Sequence, residues 1–251
     1  VESLDVTVIP MHVKTEKQVQ QAVRFPVDVA PDAFDVKMIR WASMSPTGDS
    51  VVYQALGKLY RRDVKSGRVK RLTRQNDHDE FYPSFSRDGK SVVYSTWSDT
   101  DLGAVKVVSI NGGQGATITT EPGIYVEPKF SPTKDKLVFR RVTGGYLLSP
   151  EWSMEPGIYI ANIKTKEMEK ILERGFNAHF GADENRLYYT SYVPDSKYTE
   201  LELRSVNLDG EDERQLLKGD KVTEFQLSPD VKWVAYTHQN NAFVAPVIHT
   251  G

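Results

Sequence analysis

The chain of 251 residues contains no cysteine. That excludes disulfides, thiol nucleophiles, thiolate zinc sites and iron–sulfur clusters. It suits an oxidising compartment, so a periplasmic or secreted location is expected. No apolar run approaches the roughly 18 to 20 residues that a bilayer-spanning helix needs. Neither sign of charge prevails: 32 Lys and Arg stand against 34 Asp and Glu, a net charge of −2. The overall basic balance of a nucleic-acid binder is therefore missing. Helical periodicity is nearly absent too. The first residue is Val1, with no charged-plus-apolar leader behind it. The sequence reads as a processed protein or an excised piece of a longer one. Apolar residues at 39% and charged residues at 26% suffice for a sizeable core.

What the sequence does contain is a repeat. Five segments share one layout: a short apolar strand, a turn of the Ser-Pro or Asp-Gly type, then a β-branched and aromatic strand. The turns are Ser45-Pro46-Thr-Gly48-Asp49, Ser86-Arg-Asp88-Gly89, Ser131-Pro132-Thr-Lys-Asp135, Gly181-Ala-Asp183 and Ser228-Pro229-Asp230. The preceding apolar anchors Met44, Phe85, Phe130, Phe180 and Leu227 recur at intervals of 41, 45, 50 and 47 residues. That period is the one of four-stranded propeller blades. Third strands are expected at Lys58–Val64, Ala104–Ile110, Gly157–Ile163, Glu200–Leu208 and Ala242–Ile248. Fourth strands are expected at Val69–Thr73, Ala116–Thr119, Glu167–Leu172 and Glu213–Leu217. A β-sandwich also has short, evenly spaced strands, but nothing in it calls for one motif five times.

The expected fold is all-β: a single five-bladed propeller over residues 1–251, with the blade repeats in 38–251. The alternative is six blades, or an arc of a larger ring. The fifth repeat lacks a fourth strand. A spare strand at Leu4–Pro10 is expected to supply it, Asp5–Ile9 pairing with Ala242–Ile248 and so covering a bare edge. Residues 11–37 would then cross the structure, with a further strand at Val23–Val29.

The phrases Val23-Arg-Phe-Pro26-Val, Trp41-Ala-Ser-Met-Ser-Pro-Thr-Gly48, Ala55-Leu-Gly-Lys-Leu-Tyr60 and Asp79-Glu-Phe-Tyr-Pro83 carry a resemblance. With the Ser-Pro-Asp-Gly-like turns they resemble the WD40-like (PD40) repeats of TolB-like propellers. More narrowly, they resemble the propeller that precedes an amidohydrolase domain in some exported bacterial proteins. The resemblance implies a binding propeller of an exported bacterial protein. Its partner would be another protein or a covalently attached hydrolase. It also implies an alternative, a propeller gating substrate for a metal-dependent hydrolase. Unit four departs from the pattern at Gly181, and unit five lacks a turn glycine at Asp230-Val231.

Propeller topology puts the short turns on one face and the long connections (74–81, 96–103, 121–126, 142–156, 193–199, 219–222) on the other. Function is mounted on variable loops held by a scaffold, so the long-loop face is the expected binding face. Its densest chemistry is Gln75-Asn-Asp77-His78-Asp79-Glu80-Phe-Tyr82. That loop reads either as a contact for a divalent cation or cationic ligand at the channel mouth, or as a solvated polar connection. Tyr146 and Trp152, in the long loop Val142–Pro156, read as a partner-binding flap or as rim packing. Trp97 and Tyr125 offer aromatic faces nearby. His179 and Glu224, beside the innermost strands, complete the candidate binding residues. No catalytic residue, metal ligand or cofactor is assigned. The histidines form no His-x-His or His-x-x-x-His pair, and no serine sits in a Gly-x-Ser-x-Gly elbow. The basic stretch Lys65–Arg74 reads as the solvated outer strand of a blade.

Overall fold

The computed structural model describes residues 8–19, 31–143, 155–196 and 200–247. The chain divides into Val1–Asp35 and Val36–Gly251. Among the described residues all the strands lie in the second unit.

Five antiparallel sheets follow one another in chain order. The first blade is β1 (Arg40–Met44), β2 (Ser50–Ala55), β3 (Lys58–Asp63) and β4 (Val69–Arg71). The second is β5 (Asp79–Phe85), β6 (Ser91–Ser98), β7 (Leu102–Ser109) and β8 (Ala116–Thr117). The third is β9 (Ile124–Phe130), β10 (Lys136–Val142), β11 (Gly157–Asn162) and β12 (Met168–Leu172). The fourth is β13 (Phe176–Phe180), β14 (Arg186–Tyr192), β15 (Glu200–Asn207) and β16 (Arg214–Asp220). The fifth is β17 (Val222–Leu227), β18 (Trp233–His238) and β19 (Asn241–Pro246). This is the expected five-bladed propeller, without helix among the described residues.

The repeated serine explains the repeated turn. Ser45 Oγ accepts from the Ser50 amide at 3.0 Å and donates to Asp49 at 2.8 Å. Ser86, Ser131 and Ser228 accept in the same way from Ser91, Lys136 and Trp233, at 3.0, 3.1 and 3.0 Å. One side chain thus satisfies the amide at the start of the second strand and fixes the turn. Where Gly181 replaces the serine, the backbone bond from Gly181 to the Arg186 carbonyl (3.1 Å) still closes the turn. Where unit five lacks glycine, Val231 adopts the left-handed φ of 58° that Gly48 and Gly89 adopt at 72° and 67°. Its side chain is buried in the core beneath.

Alternation along the strands gives each blade two apolar faces, which meet those of its neighbours. One buried cluster seals each successive seam. Val52, Leu59 and Leu72 meet Val92 and Tyr94 between blades one and two. Val93 and Val105 meet Phe130, Leu137 and Phe139 between two and three. Val138 and Ile158 meet Phe180 and Leu187 between three and four. Leu201 and Leu203 meet Phe225, Leu227 and Val234 between four and five. Among the described residues no fifth cluster joins the last blade to the first. Met44, Trp233 and Val244 stand exposed on those two blades.

The proposed closing strand falls mostly on residues 1–7, outside the described residues. Its described part, Val8 and Ile9, belongs to no strand and is exposed. The further strand at Val23–Val29 also lies outside the described residues. So do Tyr146 and Trp152 in the long loop.

Candidate functional site

The innermost strands β1, β5, β9, β13 and β17 surround a cavity of about 1030 Å3. Its lining follows a rule that the repeat makes visible. The residues three positions before the apolar anchors are Trp41, Tyr82, Glu127, Asn177 and Glu224, and all five line the cavity. One position before the anchors stand Ser43, Ser84, Lys129, His179 and Gln226, which line it as well.

A repeated irregularity in pairing occurs at the first of these positions. Each innermost strand slips register there: between Arg40 and Ser43, Phe81 and Ser84, Val126 and Lys129, Phe176 and His179, Val222 and Glu224. In four blades the bulged residue has a left-handed backbone: Trp41 at φ 48°, Tyr82 at 50°, Glu127 at 57° and Asn177 at 53°. A bulge re-aims a side chain, and a left-handed bulky residue is strained by about 1–3 kcal/mol.

One wall of the cavity is aromatic. The Trp41 and Tyr82 rings lie 4.5 Å apart at 40°, and Phe81 meets Trp41 edge-on at 5.7 Å. The opposite wall is polar. Glu127 is fully employed: it accepts from Arg140 at 2.8 Å and from the Asn177 amide at 2.8 Å, tying blade three to blade four. Lys129 makes no hydrogen bond or ion pair with the described residues. Burial lowers its pKa, while Glu127 and Glu224 oppose the shift. His179 Nδ1 donates to the Asn177 carbonyl at 3.1 Å, which leaves Nε2 an enclosed acceptor without a partner. Burial pushes the His179 pKa down to about 4, against the hydrogen bond to Asn177, with the nearby cations Lys129 and Arg87 adding to the fall.

The two ends of the channel differ. Trp41, Asn177 and Glu224 lie near the starts of their strands, where the inter-blade connections enter. At the opposite end Arg87, on the turn after β5, reaches across the ring. It donates to the Ala182 carbonyl at 3.0 Å, to the Pro229 carbonyl at 3.3 Å and to the Gly181 carbonyl. One guanidinium therefore joins the turns of blades two, four and five.

The acid-rich loop is not assembled at the channel. Of its residues only Tyr82 lines it; Asp77 and His78 line a separate cavity of about 400 Å3 with Asp101 and Lys106. Asp77 and Asp79 face outward, while Glu80 is fully buried in the seam between blades one and two. Its Oε2 accepts from the Leu59 amide and the Thr73 hydroxyl, each at 2.7 Å. Burial raises the Glu80 pKa against those bonds, and burial lowers that of His78. His78 Nδ1 lies 2.9 Å from Asp77, and its Nε2 lies 3.8 Å from Glu80 Oε1. Lys58 donates to the His78 carbonyl. These contacts tie blade one to blade two. Among the described residues no three His, Asp or Glu side chains converge as metal ligands.

The other aromatic candidates separate. Tyr125 is a core residue: its ring meets Phe139 edge-on at 5.3 Å, and its hydroxyl donates to the Glu121 carbonyl at 2.8 Å. Trp97 stands one residue before the end of β6 and donates to Asp99 at 3.1 Å on the long-loop side. The residues that sequence reasoning missed are Trp41, Glu127, Lys129, Asn177 and Gln226. Aligning the five repeats on their anchors would have found them, because His179 and Glu224 occupy the same two columns.

No protein-family model matches the chain. Half of it is similar in sequence to the Tol-Pal system protein TolB of Francisella tularensis subsp. holarctica, 33% identical over 125 residues. That stretch is 49% of this chain and 27% of the relative, so the match spans about a quarter of the relative's length. Among solved structures, a putative TolB from Agrobacterium tumefaciens superposes with a TM-score of 0.64 at 15% identity. The match covers 79% of this chain and 69% of that one. TolB from Acinetobacter baumannii gives 0.62 at 17% identity, over 82% and 51%. An oligogalacturonate lyase in complex with manganese gives 0.61 at 15%, over 79% and 58%, a likeness of fold alone. The chain is a five-bladed β-propeller, similar in fold to TolB proteins and in half of its sequence to one of them.

Proposed function

We propose that this chain is a non-catalytic binding module of an exported, periplasmic bacterial protein, and that it seats a protein partner in the long-loop mouth of its axial channel. One observation carries this reading. Four innermost strands hold Trp, Tyr, Glu and Asn in a left-handed backbone at the same position, and all four side chains line the channel. Strain kept at a repeated position, where glycine would remove it, points to use of the side chains. An aromatic wall opposite an unpaired Lys129 and the amide of Gln226 suits a peptide segment, which offers apolar side chains and backbone hydrogen-bonding groups together. The likeness to TolB proteins and the lack of cysteine support export.

The test is selection of short peptides from a displayed random library against the whole chain, followed by affinity measurements on variants. Trp41→Gly and Lys129→Met should each weaken the selected peptides about tenfold or more. Trp41→Gly should do so while keeping or raising the melting temperature, because glycine relieves the left-handed strain. Peptides whose affinity ignores both changes, or whose footprint falls on the short-turn face, would refute the assignment.

A further inference from the structure

Charge is unevenly placed on this molecule. Residues 58–74 hold eight of the 32 Lys and Arg and a single acid, Asp63. That is seven net positive charges on one stretch, in a chain whose total is −2, so −9 falls on the remainder. The structure gathers the stretch at the outer edge of blade one, on β3, β4 and the turn between them. All three residues of β4 are exposed, and no strand pairs with its outer side among the described residues.

Elsewhere several basic residues are paired with nearby acids. Arg140 meets Glu127, Lys170 meets Glu155 and Glu173, Arg186 meets Asp212, and Arg204 meets Glu202 and Glu213. On the blade-one edge, Arg61, Arg62, Lys65, Arg68, Lys70 and Arg71 make no ion pair with a described residue. Arg71 donates only to the side chain of Asn76 and the carbonyl of Gln75, and Arg61 reaches the Ile110 carbonyl. Asp63 is occupied by the Ser66 amide and hydroxyl, both at 2.7 Å. Between the cations stand two exposed apolar side chains, Val64 and Val69.

We infer that the outer edge of blade one is a docking surface for an acidic phospholipid bilayer. Unpaired cations at an edge meet an anionic lipid surface within a Debye length, about 8 Å at physiological salt. The two valines add apolar contact at the headgroup boundary, which a phosphodiester backbone could not use. No exposed aromatic side chain lies in the stretch to stack on bases; Tyr60 is half-buried and stacked on Tyr53 at 6.1 Å. This docking is independent of the channel, which lies at the inner end of the same blade.

Cosedimentation of the whole chain with phosphatidylcholine vesicles, with and without phosphatidylglycerol, tests it. Binding is expected only with phosphatidylglycerol, falling about tenfold or more from low to physiological salt. The triple change Lys65→Glu, Arg68→Glu, Lys70→Glu should lower it about tenfold further, with an unchanged melting temperature. The milder pair Lys65→Gln, Lys70→Gln should give an intermediate loss, and Trp41→Gly should leave vesicle binding intact. Equal binding to neutral vesicles, no binding to either, or tighter binding of duplex DNA or polyglutamate than of the anionic vesicles would overturn the inference.

Discussion

Acidification should destabilise this propeller through His179. In the fold its Nδ1 proton is committed to the Asn177 carbonyl, and its Nε2 is enclosed beside two cations. A second proton would bring charge into that space without a partner. In the unfolded chain the imidazole takes its proton near its ordinary pKa of 6.5; in the fold it does so only near about 4. Between these values the unfolded state binds more protons, so stability falls as pH falls across the window. A pKa difference of that size is worth ~3 kcal/mol at 1.36 kcal/mol for each tenfold change in proton affinity. Below about 4 both states are protonated and the loss is complete. Urea unfolding across this range, on the natural chain and on His179→Gln, isolates the effect, since the carboxylates common to both chains cancel. The natural chain should lose ~3 kcal/mol more than the variant between 6.5 and about 4. Two curves that run parallel through that window would refute the reasoning, whatever their vertical separation.

Other changes test the scaffold. Glu80→Ala strips the acceptor from the Leu59 amide and the Thr73 hydroxyl in a dry seam, and should cost ~2–3 kcal/mol in chemical denaturation. Glu80→Gln keeps an acceptor without the buried charge and should cost clearly less. Leu137→Ala, at a site with no solvent exposure in the seam between blades two and three, should cost ~3–4 kcal/mol by the same measurement. Gly103→Ala would set a methyl group 2.2 Å from the Gly123 carbonyl oxygen and 2.9 Å from that of Thr96, so two backbones must part. Its melting temperature should fall by several degrees, and an unchanged value would show that the two strands can separate freely.

The architecture was legible because its cause is local and repeated. Ser45, Ser86, Ser131 and Ser228 each close a turn that recurs with the anchor, so spacing alone discloses the blades. Gly181 and Val231 break the motif without breaking the turn, because a backbone bond and a left-handed valine take over. The site was harder to read. Asp77, His78, Asp79 and Glu80 attract notice as a cluster, yet a strand turns alternate residues to opposite sides. His78 and Glu80 therefore turn inward while Asp77 and Asp79 meet solvent. Trp41 and Lys129 have little meaning in isolation; their place arises from a bulged innermost strand that brings two residues of each repeat to the channel. Tyr125 shows the converse, an aromatic residue beside a loop that belongs to the core.

The Arg87 strut has a mechanical consequence. A solenoid held only by contacts between consecutive units can flex at every joint, and its ends move most freely. A guanidinium that grips carbonyls on two distant units makes those joints move together. Any molecule lodged above it therefore meets turns of three blades that shift as one.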